Sequence, residues 1–251
     1  MIGAILEARA LTKRFGGLVA VDDVDLLVNR NTVHSLIGPN GAGKTTVFNL
    51  LCGLMASDGG TVTFEGRDIG VLPFHRITLE GIGRSFQRTQ VFPDLTTFEN
   101  VRVAAQTRQP RRLSPFRVPR GSDPGSDTAY RALEIVGLAD RATERADILS
   151  HGEQRALDVA IALATQPRLL LLDEPTSGLS VGEVANMTDL VNRLRSELAM
   201  TVLLVEHNVN LVMNISDVIT VLHQGRVLEE GSPDAIRGSR AVAEAYLGTD
   251  A

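Results

Sequence analysis

A chain of 251 residues, 43% apolar and 22% charged, has ordinary globular composition, which excludes wholesale disorder and allows roughly three-quarters of the unfolded surface to be buried. The net charge of −5 argues against nucleic acid as the main ligand, and the lone Cys52, in an apolar run, excludes an internal disulfide. No run nears the ~18 apolar residues of a membrane span, and Glu7 and Arg9 break the apolar start, so the chain is expected in the cytoplasm, reaching a membrane only through a partner.

Two short strands are predicted first, at 5–9 and 24–28, with Gly16-Gly17 in the connection between them. Residues 33–37 read as a buried strand ending in a Gly-rich loop, and 43–51 as a helix with Gly53 placed to cap it. A short alternating strand follows at 61–64, and 82–86 leads into Gln87. Residues 95–105 predict a helix capped by Thr96 or Thr97. The stretch 107–126 holds four prolines and five arginines and reads as a loop, after which Asp127 caps a helix ending at Gly137. Residues 152–166 are amphipathic, with Ala156, Val159, Ala160 and Leu163 at helical spacing and Pro167 as the stop. The unbroken apolar run 169–172 predicts a strand buried on both faces. Ser180 and Glu183 form a capping box opening a long helix whose apolar face carries Val184, Met187, Val191, Leu194 and Leu198. A strand at 202–205, a helix at 209–215 and a strand at 218–222, turning at Gln224-Gly225, complete an α/β core with a mainly helical insertion from Phe92 to His151.

A triphosphate needs many N–H donors at close range, and glycines let the backbone wrap it. Gly38-Pro39-Asn40-Gly41-Ala42-Gly43-Lys44-Thr45 fits the phosphate-loop pattern between a strand and a helix, with Thr46 next in the first turn. There the helix N-terminus adds partial positive charge, Lys44 reaches the β- and γ-phosphates, and Thr45 offers its hydroxyl to Mg²⁺. The run 169–172 ends in two carboxylates. Asp173 suits Mg²⁺ bound through water, and Glu174 suits a general base that polarises the attacking water.

With these residues the chain resembles the nucleotide-binding subunit of ABC transporters over nearly its whole length. That likeness implies an ABC-type P-loop NTPase core with an N-terminal antiparallel β subdomain (residues 1–91 and 152–251) and a helical subdomain at about 92–151, together one ATPase domain. It implies that Phe15 stacks on adenine, and that Gln87 senses Mg²⁺ and the attacking water while coupling to a membrane subunit. Ser177-Gly178-Leu179-Ser180 matches the D-loop, and His207 the histidine that contacts the γ-phosphate. Leu149-Ser150-His151-Gly152-Glu153-Gln154 reads as the signature, whose Ser150 and Gly152 bind the nucleotide held by another subunit. Three positions depart from the family pattern: His151 for Gly, Glu153 for Gln, and Ser180 for the Asp that usually ends the D-loop. Glu153 beside a γ-phosphate would add repulsion unless it points away.

Finer likeness lies in Lys13-Arg14-Phe15-Gly16-Gly17-Leu18, in Ser85-Phe86-Gln87 with Phe92, in Glu206-His207-Asn208 with Val212-Met213, and in Ala245-Tyr246-Leu247-Gly248. These resemble the larger ATPase of branched-chain amino-acid uptake systems. The likeness implies ATP hydrolysis with Mg²⁺, driving an importer built with two membrane permeases, a second ATPase subunit of the same or another kind and, indirectly, a solute-binding protein. The subunit would then lie peripherally at the cytoplasmic face of the membrane. An export ATPase of the lipopolysaccharide type shares the Tyr-Leu-Gly ending. A soluble ABC ATPase of repair or translation usually carries two fused halves or a long coiled-coil insertion. Gln87, with Phe86 and Phe92 beside it, is expected to form a groove for a short permease helix. Arg108, Arg111, Arg112, Arg117 and Arg120 face one acid, Asp123, and read either as a solvated loop or, helped by Phe116 and Val118, as a contact with anionic headgroups.

Overall fold

The computed structural model describes residues 3–86, 90–108 and 124–247, which form two compact units, 1–77 with 191–251, and 78–190. The first unit opens with β1 (Ala4–Phe15), β2 (Leu18–Asn29), β3 (Val33–Ile37), α1 (Lys44–Leu51), β4 (Gly59–Phe64) and β5 (Arg67–Asp68), and the chain leaves it through α2 (Phe74–Glu80). The second unit holds β6 (Ile82–Arg84), α3 (Thr97–Ala105), α4 (Pro124–Val136), α5 (His151–Ala164) and β7 (Leu169–Asp173), and α6 (Val181–Ser196) leads back out of it. The first unit then ends with β8 (Thr201–Val205), α7 (Val209–Ile215), β9 (Val218–His223), β10 (Arg226–Gly231), α8 (Pro233–Arg237) and α9 (Arg240–Leu247).

In the first unit an antiparallel sheet of order β2-β1-β4-β5 forms the expected N-terminal β subdomain. Its first two strands run well past the predicted 5–9 and 24–28. Ala10 (φ 47°) and Asp23 (φ 57°) each turn left-handed, and the register shifts between Ala8 and Leu11. These bulges interrupt the alternation that short strands would show, yet pairing resumes beyond them. The inward face carries Leu6, Leu11, Val24, Leu26, Val62 and Phe64, all nearly inaccessible. A second sheet in this unit has the order β10-β9-β3-β8, with β3 parallel to both β8 and β9. Every residue of β3 and β8 is buried, the pattern of parallel strands covered on both faces.

In the second unit β6 and β7 pair in parallel, and α3, α4 and α5 pack through Val101, Ala129, Leu133 and Leu157. Thr96 is the cap of α3, in a box with Glu99, whereas the Thr97 hydroxyl donates to Glu144 O at 3.0 Å. Asp127 is not a cap: α4 begins three residues earlier at Pro124, whose fixed φ suits a first helical position. Asp127 instead lies in the first turn, where its charge complements the helix dipole. The capping box at Ser180 and Glu183 forms as expected. Leu198 lies beyond the end of α6 and is 45% exposed, whereas Leu190 within the helix is buried.

Candidate nucleotide site

Register brings the phosphate loop and His207 to the same end of the first unit. Leu36 pairs with Val205, so the loop and Glu206-His207-Asn208 leave the carboxyl ends of neighbouring parallel strands, the usual ligand position in such sheets. The loop tolerates only glycine at two points. A Cβ on Gly38 (φ 152°) would stand 2.2 Å from Leu222 O, and one on Gly43 (φ 100°) 2.5 Å from Ala20 O. Lys44 is 6% exposed, and its Nζ donates to Gly38 O at 2.6 Å and Pro39 O at 3.0 Å, which draws the loop into a curl. Asn40, Gly41 and Thr45 are exposed around this curl, Ala42 is buried and Thr46 half-buried. Because Ala20 lies against Gly43, the β1–β2 hairpin packs on the loop, and Phe15 at its tip is 46% exposed with Lys13 Nζ 5.8 Å from the ring centroid. His207 is exposed after β8, its backbone N–H donating to the carboxylate of buried Glu206 at 3.0 Å.

The second unit carries the carboxylates. Ser85 N donates to Leu171 O, so Phe86 and Asp173 leave β6 and β7 at one end. Asp173 is 2% exposed. Its Oδ2 accepts from Arg84 Nη2 at 2.7 Å, while its Oδ1 is buried with no hydrogen-bond partner. Burial pushes the Asp173 carboxyl up, against the pull of Arg84 and with a further push from Glu174. A buried acceptor left over in this way fits a proton of metal-bound water, and Mg²⁺ characteristically keeps waters and uses few carboxylates. Accordingly no cage of three or more His, Cys, Asp or Glu side chains is needed, and none occurs among the described residues. Glu174 takes φ 48°, left-handed backbone that costs a non-glycine residue roughly 1–2 kcal/mol and gathers at functional sites. Gln87, expected both at the metal and in catalysis, lies outside the described residues.

In the signature region Ser150 caps α5, its Oγ accepting from Glu153 N at 3.3 Å while Glu153 Oε2 accepts from Ser150 N at 2.8 Å. Arg141 Nη1 donates to Glu153 Oε1 at 2.5 Å. The carboxylate at this departure is therefore turned back onto its own helix cap and an arginine. Gly152 N donates to Glu183 Oε1 at 3.0 Å. The basic stretch loses one of its expected outward charges. Arg108 donates to Thr165 O at 2.7 Å and Leu79 O at 2.8 Å, tying together backbone inside its own unit, and Arg111, Arg112, Arg117 and Arg120 lie outside the described residues.

A family model described as ABC transporter matches residues 21–177. The chain belongs to the ABC transporter family. A model described as Branched-chain amino acid ATP-binding cassette transporter matches residues 226–251. The chain is 44% identical to the High-affinity branched-chain amino acid transport ATP-binding protein BraF of Pseudomonas aeruginosa, over 97% of this chain and 98% of that one. The ADP conformation of MJ1267, an ATP-binding cassette of an ABC transporter, aligns with a TM-score of 0.87 at 29% identity, covering 98% and 99% of the two chains. The dimeric post-hydrolysis structure of the cassette MJ0796 bound to ADP and Pi aligns at 0.77 with 26% identity, over 91% and 98%. No described helix of this ABC cassette is long and apolar enough to cross a membrane.

Within each unit, several side chains of the cassette that hold these segments belong to no motif read from the sequence. Asp158 Oδ2 accepts from Phe86 N at 2.9 Å and Arg155 Nη1 donates to Phe86 O at 3.1 Å, so α5 grips the chain just before Gln87. Asn100 accepts from Phe92 N at 2.7 Å and steadies the chain beyond it. The Tyr246 hydroxyl accepts from Gly38 N–H, linking α9 to the phosphate loop. A charged residue inside a buried helical stripe or an apolar strand was the available signal for Arg155, Asp158 and Arg84.

Burial pushes the Asp158 carboxyl up to about 6, against the pull of Phe86 and Gln90 N–H and of Arg155. That value exceeds the usual 3.8, so between these two pH values folding takes up a proton and stability falls as pH rises, the full cost being reached above about pH 6. A shift of this size corresponds to about 3 kcal/mol. Asp158→Asn is expected to lose this slope, read from urea unfolding of both proteins between pH 4 and 7. Parallel pH curves for the two would refute the assignment.

Proposed function

We propose that this chain is the ATP-hydrolysing subunit of an importer for branched-chain amino acids or a related small polar solute. The match of residues 226–251 to the branched-chain cassette model carries the substrate reading, because it distinguishes this chain within the larger family. Two membrane permeases, a second ATPase subunit and a solute-binding protein complete the assembly, with this subunit at the cytoplasmic face. Residues of about 92–151 act as the helical subdomain, and the exposed Phe92 borders the groove that receives a permease helix.

The chemistry follows from where the donors stand. Backbone N–H groups of Gly41, Ala42 and Gly43, with the start of α1, hold the phosphates, and Lys44 exchanges its bonds to loop carbonyls for phosphate oxygens. Phe15 offers its exposed ring to adenine. Thr45, Gln87 and, through water, Asp173 would hold Mg²⁺, which when bound supplies neutralising charge to the phosphate oxygens. Glu174 draws the proton from the attacking water, and His207 donates to the γ-phosphate. Ser150 and Gly152, at the N-terminus of α5, serve the nucleotide held by the second ATPase subunit. Lys44→Ala is expected to weaken Mg-ATP binding at least about tenfold, or roughly 1.4 kcal/mol, measured by titration calorimetry. Undiminished affinity in that variant would sink the phosphate-loop assignment.

A further inference from the structure

The departure at Ser180 and the signature's Gly152 meet at one carboxylate. Glu183 Oε2 accepts from Ser180 N at 2.9 Å and from Ser180 Oγ at 2.7 Å, while Glu183 Oε1 accepts from Gly152 N at 3.0 Å. Space is tight here, since a Cβ on Gly152 would stand 2.5 Å from Glu183 Oε1. The His151 ring lies beside Gly178, whose added Cβ would be 3.2 Å from its Cε1. The Glu183 carboxyl is held below its usual value, first by the Ser180 side chain and backbone and then by Gly152 N–H and His151. One acidic side chain thus spans the D-loop and the signature.

We propose that Glu183 is a positioning residue that holds the signature in reserve, its carboxylate occupying the Gly152 N–H that the partner-held γ-phosphate takes when the two ATPase subunits close. This rests on the reading that Ser150 and Gly152 meet that nucleotide. Both ligands are anions and both seek the same helix-terminal donor, so they exclude each other. A contact made only in the open state stabilises that state alone, and nucleotide must displace it to close the pair. Ser180 then has a use here: its N–H and hydroxyl both donate to the carboxylate and hold it at the cap of α6. When Glu183 leaves Gly152 it still caps α6 through Ser180, so release of the signature need not unwind the helix.

The test uses the intact transporter, with its permeases and second ATPase subunit, and reads ATP turnover. Glu183→Gln keeps an acceptor for the Ser180 cap and removes the charge that contests the donor. It is expected to lower the KM for ATP roughly three- to tenfold, the scale of one charged group at a helix terminus, with an unchanged melting temperature. Glu183→Ala should lower KM as well, at some expense of α6 stability. An unchanged or raised KM in Glu183→Gln overturns the proposal, because a purely structural cap would give that result. Ser150→Ala separates the two readings. If it raises KM while Glu183→Gln leaves KM unchanged, only the role of Glu183 fails. If Ser150→Ala has no effect on turnover, the signature reading fails and the Glu183 proposal falls with it.

Discussion

Glu174→Gln is expected to leave Mg-ATP binding within about twofold of wild type while lowering steady-state hydrolysis by at least about 100-fold, the usual contribution of a placed general base. The side chains are nearly isosteric, and Gln at φ 48° bears about the same backbone strain as Glu, so the variant should fold equally well. What changes is basicity alone. An amide cannot accept the proton of the attacking water, whereas the phosphate loop and the Asp173 carboxylate stay as they are. Turnover by the intact transporter and nucleotide affinity of the isolated chain together form the measurement. A Glu174→Gln transporter that hydrolyses ATP at more than a tenth of the wild-type rate would remove Glu174 from that role.

Arg84→Ala should be among the most destabilising single changes in the second unit, by about 3–5 kcal/mol at pH 7, because it strands the buried charge of Asp173. Both side chains are only 3% exposed and meet at 2.7 Å. A surface pair would contribute little, since water replaces the lost partner. Here both groups are buried, and Asp173 Oδ1 already lacks a hydrogen-bond partner. Without the arginine, burial acts on Asp173 with less opposition and raises its carboxyl further. The deficit is therefore expected to shrink as pH falls and Asp173 is protonated. Replacing Asp173 by Asn in the same chain should recover part of it, for the same reason. Urea unfolding of the three proteins at pH 7 and pH 5 provides the check. A loss below about 1 kcal/mol for Arg84→Ala would show that the pair is exposed to water in solution.

The elements that were legible in sequence are those whose signal is local. The strands at β7 and β8 carry unbroken apolar runs, α3 and α6 carry capping residues three positions before Glu99 and Glu183, and α5 has apolar residues at helical spacing. Where the signal was weak, placement slipped. The bulges at Ala10 and Asp23 hid the true length of the first hairpin, and α2, α8 and α9 are short, with little periodicity to read. β10 is an edge strand bearing Glu229 and Glu230, whose polar character resembles a loop in sequence.

By itself the sequence determined the Gly-rich loop between β3 and α1, the two carboxylates that follow the apolar run of β7, and the family. Each is a run of neighbouring residues whose chemistry depends on spacing along the chain. Tertiary structure alone decided what those residues touch. Arg84 neutralises Asp173 across 89 positions, α5 reaches back 72 positions to Phe86 through Asp158, and Glu183 meets Gly152 from 31 positions away. Burial decides how strongly such pairs act, because the same carboxylate is a solvated charge on a surface and a demanding one inside. Neither burial nor partners separated by tens of residues leave a periodic trace in one sequence. The departures at His151 and Glu153 show the difference most directly. In sequence they read as losses at a phosphate site, and in the fold each side chain has found a place, Glu153 on Arg141 and its own helix cap, and His151 beside Gly178.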